Sequence, residues 1–149
     1  MVADFVLVVS LSIPVIIVAL LIGVEFVTGV LGMLMFLLIA GIWALVYNGF
    51  PYAVALKTGN PAAVNSTFLG FLPVTFLTTV FVPEEALTGW MAHIVQFNPV
   101  TYLLEGMRSL VSDGWEGPAL LRGFGGIAAF GVITIPLALW SLAGRVSRR

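Results

Sequence analysis

The sequence predicts an all-α, polytopic helical membrane protein with about four transmembrane helices and two short helices between the last two of them. Apolar residues make up 60% of the 149 residues and charged residues only 9%, whereas soluble domains are about 25% charged. Four stretches carry no charged side chain, at 5–24, 26–56, 58–83 and 123–144. A helix of about 20 residues crosses about 30 Å of hydrocarbon, so each stretch is long enough to span a bilayer.

We expect a single transmembrane domain over residues 1–149, with spans at approximately 5–24, 29–56, 61–82 and 120–144. In lipid each span should be helical, because an unpaired backbone group costs several kcal/mol there. Pro51 removes one backbone donor from the second span and predicts a kink near residues 46–48. Asn60-Pro61 is typical of an N-cap followed by proline at the first helical position, so the third span should begin there.

The segment between the third and fourth spans predicts two short amphipathic helices, at approximately 84–97 and 99–112. Asn98-Pro99 repeats the capping pattern before the second of them. About fourteen residues make roughly 21 Å of helix, which is too short to cross, so these helices should lie in the interface or re-enter the bilayer. The apolar face of the second helix comprises Val100, Leu103, Leu104, Met107, Leu110 and Val111.

Charge predicts the topology of the four spans. Lys57 and the three arginines of the C-terminal tail fall on one side, and Glu25 and the acidic 84–122 segment fall on the other. By the positive-inside rule the first side is cytoplasmic. We therefore expect a multi-pass protein of the cell membrane with both termini in the cytoplasm, and external short helices.

Several kinds of chemistry have no support in the sequence. There is no phosphate-binding loop for ATP, no cysteine and no paired metal-ligand spacing. The single histidine, His93, is expected to be solvated or interfacial. With a net charge of −1 there is no basic face for nucleic acid. No catalytic residue, metal site or cofactor site is predicted on this chain.

A few polar or aromatic residues in and near the spans are candidates for function. Glu105 and Arg108 share one helix face and can pair, either as a surface pair that stabilises the helix or as part of a polar cluster lining an exit. Asn48 needs a partner in lipid, and with Trp43 and Asn65 it is a candidate for helix packing or for lining a path. Glu25 is expected in the loop after the first span.

Residues 60–108 resemble the C-terminal half of the membrane subunit of type-2 ATP-binding cassette exporters, in particular the daunorubicin-resistance permeases. The resemblance rests on Ala63-Val64-Asn65 opening a span, Phe71-Leu72-Pro73 within it, and Phe81-Val82-Pro83 at its end. A short helix with a tryptophan follows, then Asn98-Pro99-Val100-Thr101-Tyr102, then Glu105 and Arg108. With looser similarity in the first two helices, it covers nearly the whole chain.

This resemblance implies a permease subunit that exports an amphipathic or lipid-like substrate, with ATP hydrolysed on a separate ATPase subunit and a second permease subunit completing the path. It further implies that Asn98, Pro99, Tyr102, Glu105 and Arg108 belong to an external lid. Family members usually have six spans and this chain begins where the third would, so we expect a C-terminal piece, a late-start product or a split subunit. The alternatives are a small membrane scaffold without a transport path and an intramembrane enzyme, for which no nucleophile is apparent.

Overall fold

The computed structural model describes residues 2–76, 78, 89 and 95–146. For Arg145 and Val146 it describes the backbone alone. Its long elements are all helices, so the all-α prediction is confirmed for the described part of the chain. They are α1 (Val2–Leu21), α2 (Gly29–Thr58), α3 (Pro61–Phe76), α4 (Pro99–Ser112) and α5 (Gly117–Val146).

The helix boundaries follow from local sequence. Gly59 adopts the left-handed conformation (φ 60°) and its N–H donates to the Ala55 carbonyl, which ends α2. The Asn60 side chain accepts a hydrogen bond of 2.9 Å from the Ala62 N–H, so the predicted cap of α3 is confirmed. Helix α2 is continuous through Pro51, and α5 begins at Gly117, with Pro118 in its first turn.

Helix α5 packs against two other helices along its length, α4 and α2. Its first half packs against α4 and its second half against α2, while α1 and α3 pack on α2. In the second half, a Cβ on Gly49 would lie 2.9 Å from the Thr134 carbonyl oxygen, so α2 and α5 meet almost backbone to backbone. The buried core joins three helices and comprises Ile39, Val46, Leu103, Leu110 and Ile127.

Contacts between elements define two ends of the bundle. At the first end the loop before α2 meets the end of α4, since the Val27 N–H donates to the Val111 carbonyl over 3.1 Å. At the second end the Lys57 ammonium lies 3.9 Å from the ring centre of Trp140. We call these the 113–116 end and the 57–60 end, after the turns found there. Lys57 and the end of α5 thus lie opposite the loop that carries Glu25, which is the grouping that the topology prediction requires.

In the part of the chain that the structure describes, three helices are long and apolar enough to cross a membrane, namely Val2–Leu21, Gly29–Thr58 and Gly117–Gly144. Helix α1 buries only Ile16, and its large aliphatic side chains face outward, a surface that suits hydrocarbon and not water. The chain is therefore a multi-pass membrane protein.

The remaining span and the first short helix stay predictions. Helix α3 is described only as far as Phe76, where its sixteen residues amount to about 24 Å. The predicted helix 84–97 lies outside the described residues except for 89 and 95–97, of which 95–97 are helical. His93 is outside them as well.

Candidate functional site

The start of α4 is held by Asn98, the first residue of the predicted lid. Its side-chain oxygen accepts from the Val100 N–H over 3.0 Å, and its Nδ2 donates to the Val74 carbonyl of α3 over 2.7 Å. Asn98 is buried, and Pro99 occupies the first helical position. One amide thus caps α4 and fastens its beginning to α3, which satisfies polar groups that would otherwise be stranded in an apolar setting.

Helix α4 runs antiparallel along the first half of α5, and glycines allow the close approach. A Cβ on Gly126 would lie 2.9 Å from the Pro99 carbonyl oxygen, and one on Gly123 would lie 3.1 Å from that of Tyr102. Nearer the 113–116 end, Gly106 faces the Ala119 carbonyl in the same way, at 3.3 Å. Gly126 lies about 13 Å along the axis from the start of α5, so α4 begins well inside the length of that helix.

The end of α4 is fastened to a different helix. The Thr28 hydroxyl, next to the start of α2, donates to the Leu110 carbonyl, and the Val27 N–H donates to that of Val111. Leu110 itself is completely buried. Helix α4 is therefore fixed at both ends, to α3 at its beginning and to α2 at its end.

Glu105 also lies close to an arginine on the neighbouring helix. Its carboxylate is 3.8 Å from a terminal guanidinium nitrogen of Arg122, on α5, so this ion pair joins two helices. Arg108 is exposed on α4. The Glu105–Arg122 distance exceeds that of a good hydrogen bond, and the two side chains are 29% and 58% exposed, so the pair contributes little stability.

Arg122 is the residue that sequence reasoning missed. The predicted span 120–144 contains it, but the sequence does not show that it lies beside Glu105, where the structure places it in the second turn of α5. Gly117-Pro118 indicates the start of this helix, since proline is favoured there. Tyr102 lies nearby, and its hydroxyl donates to the Gln96 carbonyl just before α4.

The candidates in the second span have separate surroundings. Trp43 belongs to an aromatic cluster that also includes Tyr47, Phe68, Phe71 and Phe130 and joins α2, α3 and α5. The Trp43 and Phe130 ring centres are 5.4 Å apart, a separation typical of favourable ring contacts.

Neither asparagine of the spans belongs to the polar contacts around α4. Asn48, on α2, is half-buried, and Asn65, on α3, is exposed. The five predicted lid residues therefore all lie on or beside α4, whereas Trp43, Asn48 and Asn65 lie on other helices.

The polar contacts around α4 fix the position of that helix. Among the residues that the structure describes, no group of three or more histidine, cysteine or acidic side chains could hold a metal ion. The polar contacts of α4 connect it to three neighbouring helices, and its carboxylate faces an arginine rather than a nucleophile.

Comparison with known proteins gives the family. The sequence model described as "ABC-2 type transporter" matches residues 1–111, which include α1, α2, α3 and nearly all of α4. The chain is 28% identical over 123 residues to the daunorubicin resistance ABC transporter permease protein DrrB1 of Streptomyces coeruleorubidus. That alignment covers 79% of the chain but 44% of the relative, so the chain spans less than half of that protein's length. No solved structure matches. Because the family match takes in well over half of its residues, the chain belongs to the ABC-2 type transporter family.

Proposed function

We propose that the chain forms the membrane-spanning permease subunit, or the C-terminal part of one, of an ATP-binding cassette exporter that moves an amphipathic or lipid-like substrate out of the cell. Membership of the transporter family over residues 1–111 is the observation that carries this proposal. The long apolar helices support it, since they give the chain the means to line a path through lipid.

The energy for export comes, in this proposal, from a separate ATPase subunit, and a second permease subunit completes the path. A phosphate-binding loop is absent from the sequence, which is consistent with ATP binding on a partner. In cells that produce the intact transporter, efflux of a fluorescent amphipathic dye should require an ATPase subunit that can hydrolyse ATP. Equal efflux with an inactive ATPase would contradict export and favour the non-transporting scaffold.

We place the 57–60 end and both termini in the cytoplasm and the 113–116 end outside. The grouping of Lys57 with the end of α5, opposite Glu25, supports this orientation because basic residues favour the cytoplasmic side. Single cysteines at Lys57 and Trp115, in a chain without other cysteines, should be labelled from opposite sides by an impermeant maleimide. Labelling of both positions from one side would contradict the four-span topology.

Helix α4 is the external lid of this path. Its attachment to α3 through Asn98 and to α2 through Leu110 supports that role, because motion of either helix reaches α4 directly. Replacing both Glu105 and Arg108 by glutamine in the intact transporter should lower ATP-dependent efflux severalfold while surface expression stays constant. The control is Asp113→Asn, which removes a charge from the adjoining turn and should leave efflux unchanged. Normal efflux by the double variant would refute the lid.

A further inference from the structure

An open groove runs along α5 beside the beginning of α4. Its volume is about 380 Å³, within the range of small-molecule sites. Its α5 side includes Gly125, Gly126 and Ala129, none of which has a side chain larger than a methyl group. These small residues leave the groove open. The lining residues are Phe97, Pro99, Tyr102, Arg122, Gly125, Gly126 and Ala129.

One cation lies at the end of this apolar groove. Arg122 is 58% exposed, and its Nε donates to the Pro118 carbonyl over 3.3 Å. Its terminal nitrogens make no hydrogen bond to a residue in the described ranges, since Glu105 lies 3.8 Å away. A guanidinium has five donors in a planar fork that matches a phosphate, so most of the donor capacity of Arg122 is available to a ligand.

The part of α5 that lines the groove fits within the depth of one leaflet. From Arg122 to Ala129 the helix axis advances about 10 Å, less than the roughly 15 Å that is half of the hydrocarbon thickness. Arg122 lies close to the 113–116 end, where the polar turn meets the membrane surface, and Ala129 lies deeper. A ligand that fits has an anionic group at the surface and an apolar chain that extends inward.

We propose that this groove binds an anionic phospholipid of the surrounding bilayer, with the headgroup phosphate on Arg122 and one acyl chain against Gly125, Gly126 and Ala129. Phe97, 86% exposed, forms an apolar wall for the chain. Charge complementarity favours a lipid over an apolar helix of another protein. An apolar helix packed in the groove would bury the Arg122 guanidinium and offer it no negatively charged partner, whereas a lipid phosphate would. Basic grooves between transmembrane helices bind anionic headgroups for this reason.

Glu105 lowers the affinity of the groove for an anionic lipid. Its carboxylate, 3.8 Å from the guanidinium, competes with the phosphate and repels it. Removing that charge should therefore tighten the binding of an anionic lipid, whereas removing the arginine should weaken it. These opposite changes from two neighbouring residues distinguish a lipid site from general loss of structure.

The test is native mass spectrometry of the full chain in a neutral detergent, titrated with phosphatidylglycerol or with phosphatidylcholine of the same acyl chains. Wild type should bind one phosphatidylglycerol with preference over phosphatidylcholine. Arg122→Gln should lower the affinity for phosphatidylglycerol about tenfold and abolish the preference, and Glu105→Gln should raise the affinity. The matched control is Lys57→Gln, which removes an equal charge at the opposite end of the bundle and should change nothing.

A second pair of variants tests the acyl chain. A Cβ on Gly125 meets no atom within 4 Å, so Gly125→Leu fills the groove without a clash inside the protein and should weaken the binding of both lipids. Gly70→Leu is the control, since Gly70 is an equally open helical position on α3. The proposal is overturned if Arg122→Gln retains wild-type preference, if Lys57→Gln loses it, or if Gly125→Leu binds both lipids as wild type does. These outcomes concern a resident lipid and do not depend on whether the transporter exports a lipid.

Discussion

The contact between α4 and α5 can be tested with two adjacent glycines. A Cβ on Gly126 would lie 2.9 Å from the Pro99 carbonyl oxygen, whereas a Cβ on Gly125 would meet nothing within 4 Å. Both residues lie in the same helix, so replacing either by alanine gains the same intrinsic helix propensity of about 1 kcal/mol. The difference between the two variants therefore isolates the cost of the close approach.

The size of that cost follows from the geometry. Carbon and carbonyl oxygen approach to about 3.3–3.6 Å in favourable contacts, so Gly126→Ala must move α4 away from α5 by roughly half an ångström. A gap of that size loses a quarter to a half of the dispersion energy of the atoms along it, including those at Gly123 and Gly106. Since overpacking typically costs about 1–3 kcal/mol, we expect Gly126→Ala to be less stable than Gly125→Ala by that amount.

Thermal unfolding in detergent, followed by circular dichroism, measures the difference. For a chain of this size 1 kcal/mol corresponds to about 2–4 °C in Tm, so the two alanine variants should differ by several degrees. Equal melting temperatures for Gly125→Ala and Gly126→Ala would refute the close contact between α4 and α5. A lower melting temperature for Gly125→Ala than for Gly126→Ala would do so as well.

Three further predictions use the same measurement. Asn98→Ala should cost about 1–3 kcal/mol because α4 loses its cap and the Val74 carbonyl loses its donor; a melting temperature equal to that of wild type would rule out the anchor. Thr134→Val should cost about 1 kcal/mol, since the hydroxyl of Thr134 donates to the Val46 carbonyl across the α2–α5 interface over 2.7 Å. Thr101→Val, the same substitution, should instead raise the melting temperature, because the buried Thr101 hydroxyl has no hydrogen-bond partner among the residues that the structure describes. Changes of the same sign in the two valine variants would contradict these assignments.

Much of the fold could be predicted because the signals are local. The uncharged runs predict membrane helices from composition alone. Asn60-Pro61 and Asn98-Pro99 predict helix starts, and in both cases the asparagine side chain accepts a hydrogen bond from the N–H two residues later. The short amphipathic helix 99–112 coincides with α4. In each case the deciding interaction joins residues that are neighbours in sequence, so a linear pattern is sufficient.

The contacts around α4 could not be predicted because they join distant parts of the chain. The spacing of Glu105 and Arg108 indicates that these two can pair on one helix, but it does not show that Arg122, on α5, lies 3.8 Å from the same carboxylate. Likewise, the spacing of Gly123 and Gly126 does not specify which backbone they face. Thr28 shows no sequence signal at all, since its partner is the Leu110 carbonyl, 82 residues away.

The two attachments of α4 have a mechanical consequence. Asn98 bonds the beginning of this helix to α3, and the Leu110 carbonyl bonds its end to the segment that leads into α2. The helix between them is about 21 Å long. If α2 and α3 separate or slide past one another, α4 must change its tilt on the glycine surface of α5, or the hydrogen bonds at one of its ends must break. A displacement within the membrane is thereby converted into rotation of a short helix at the 113–116 end.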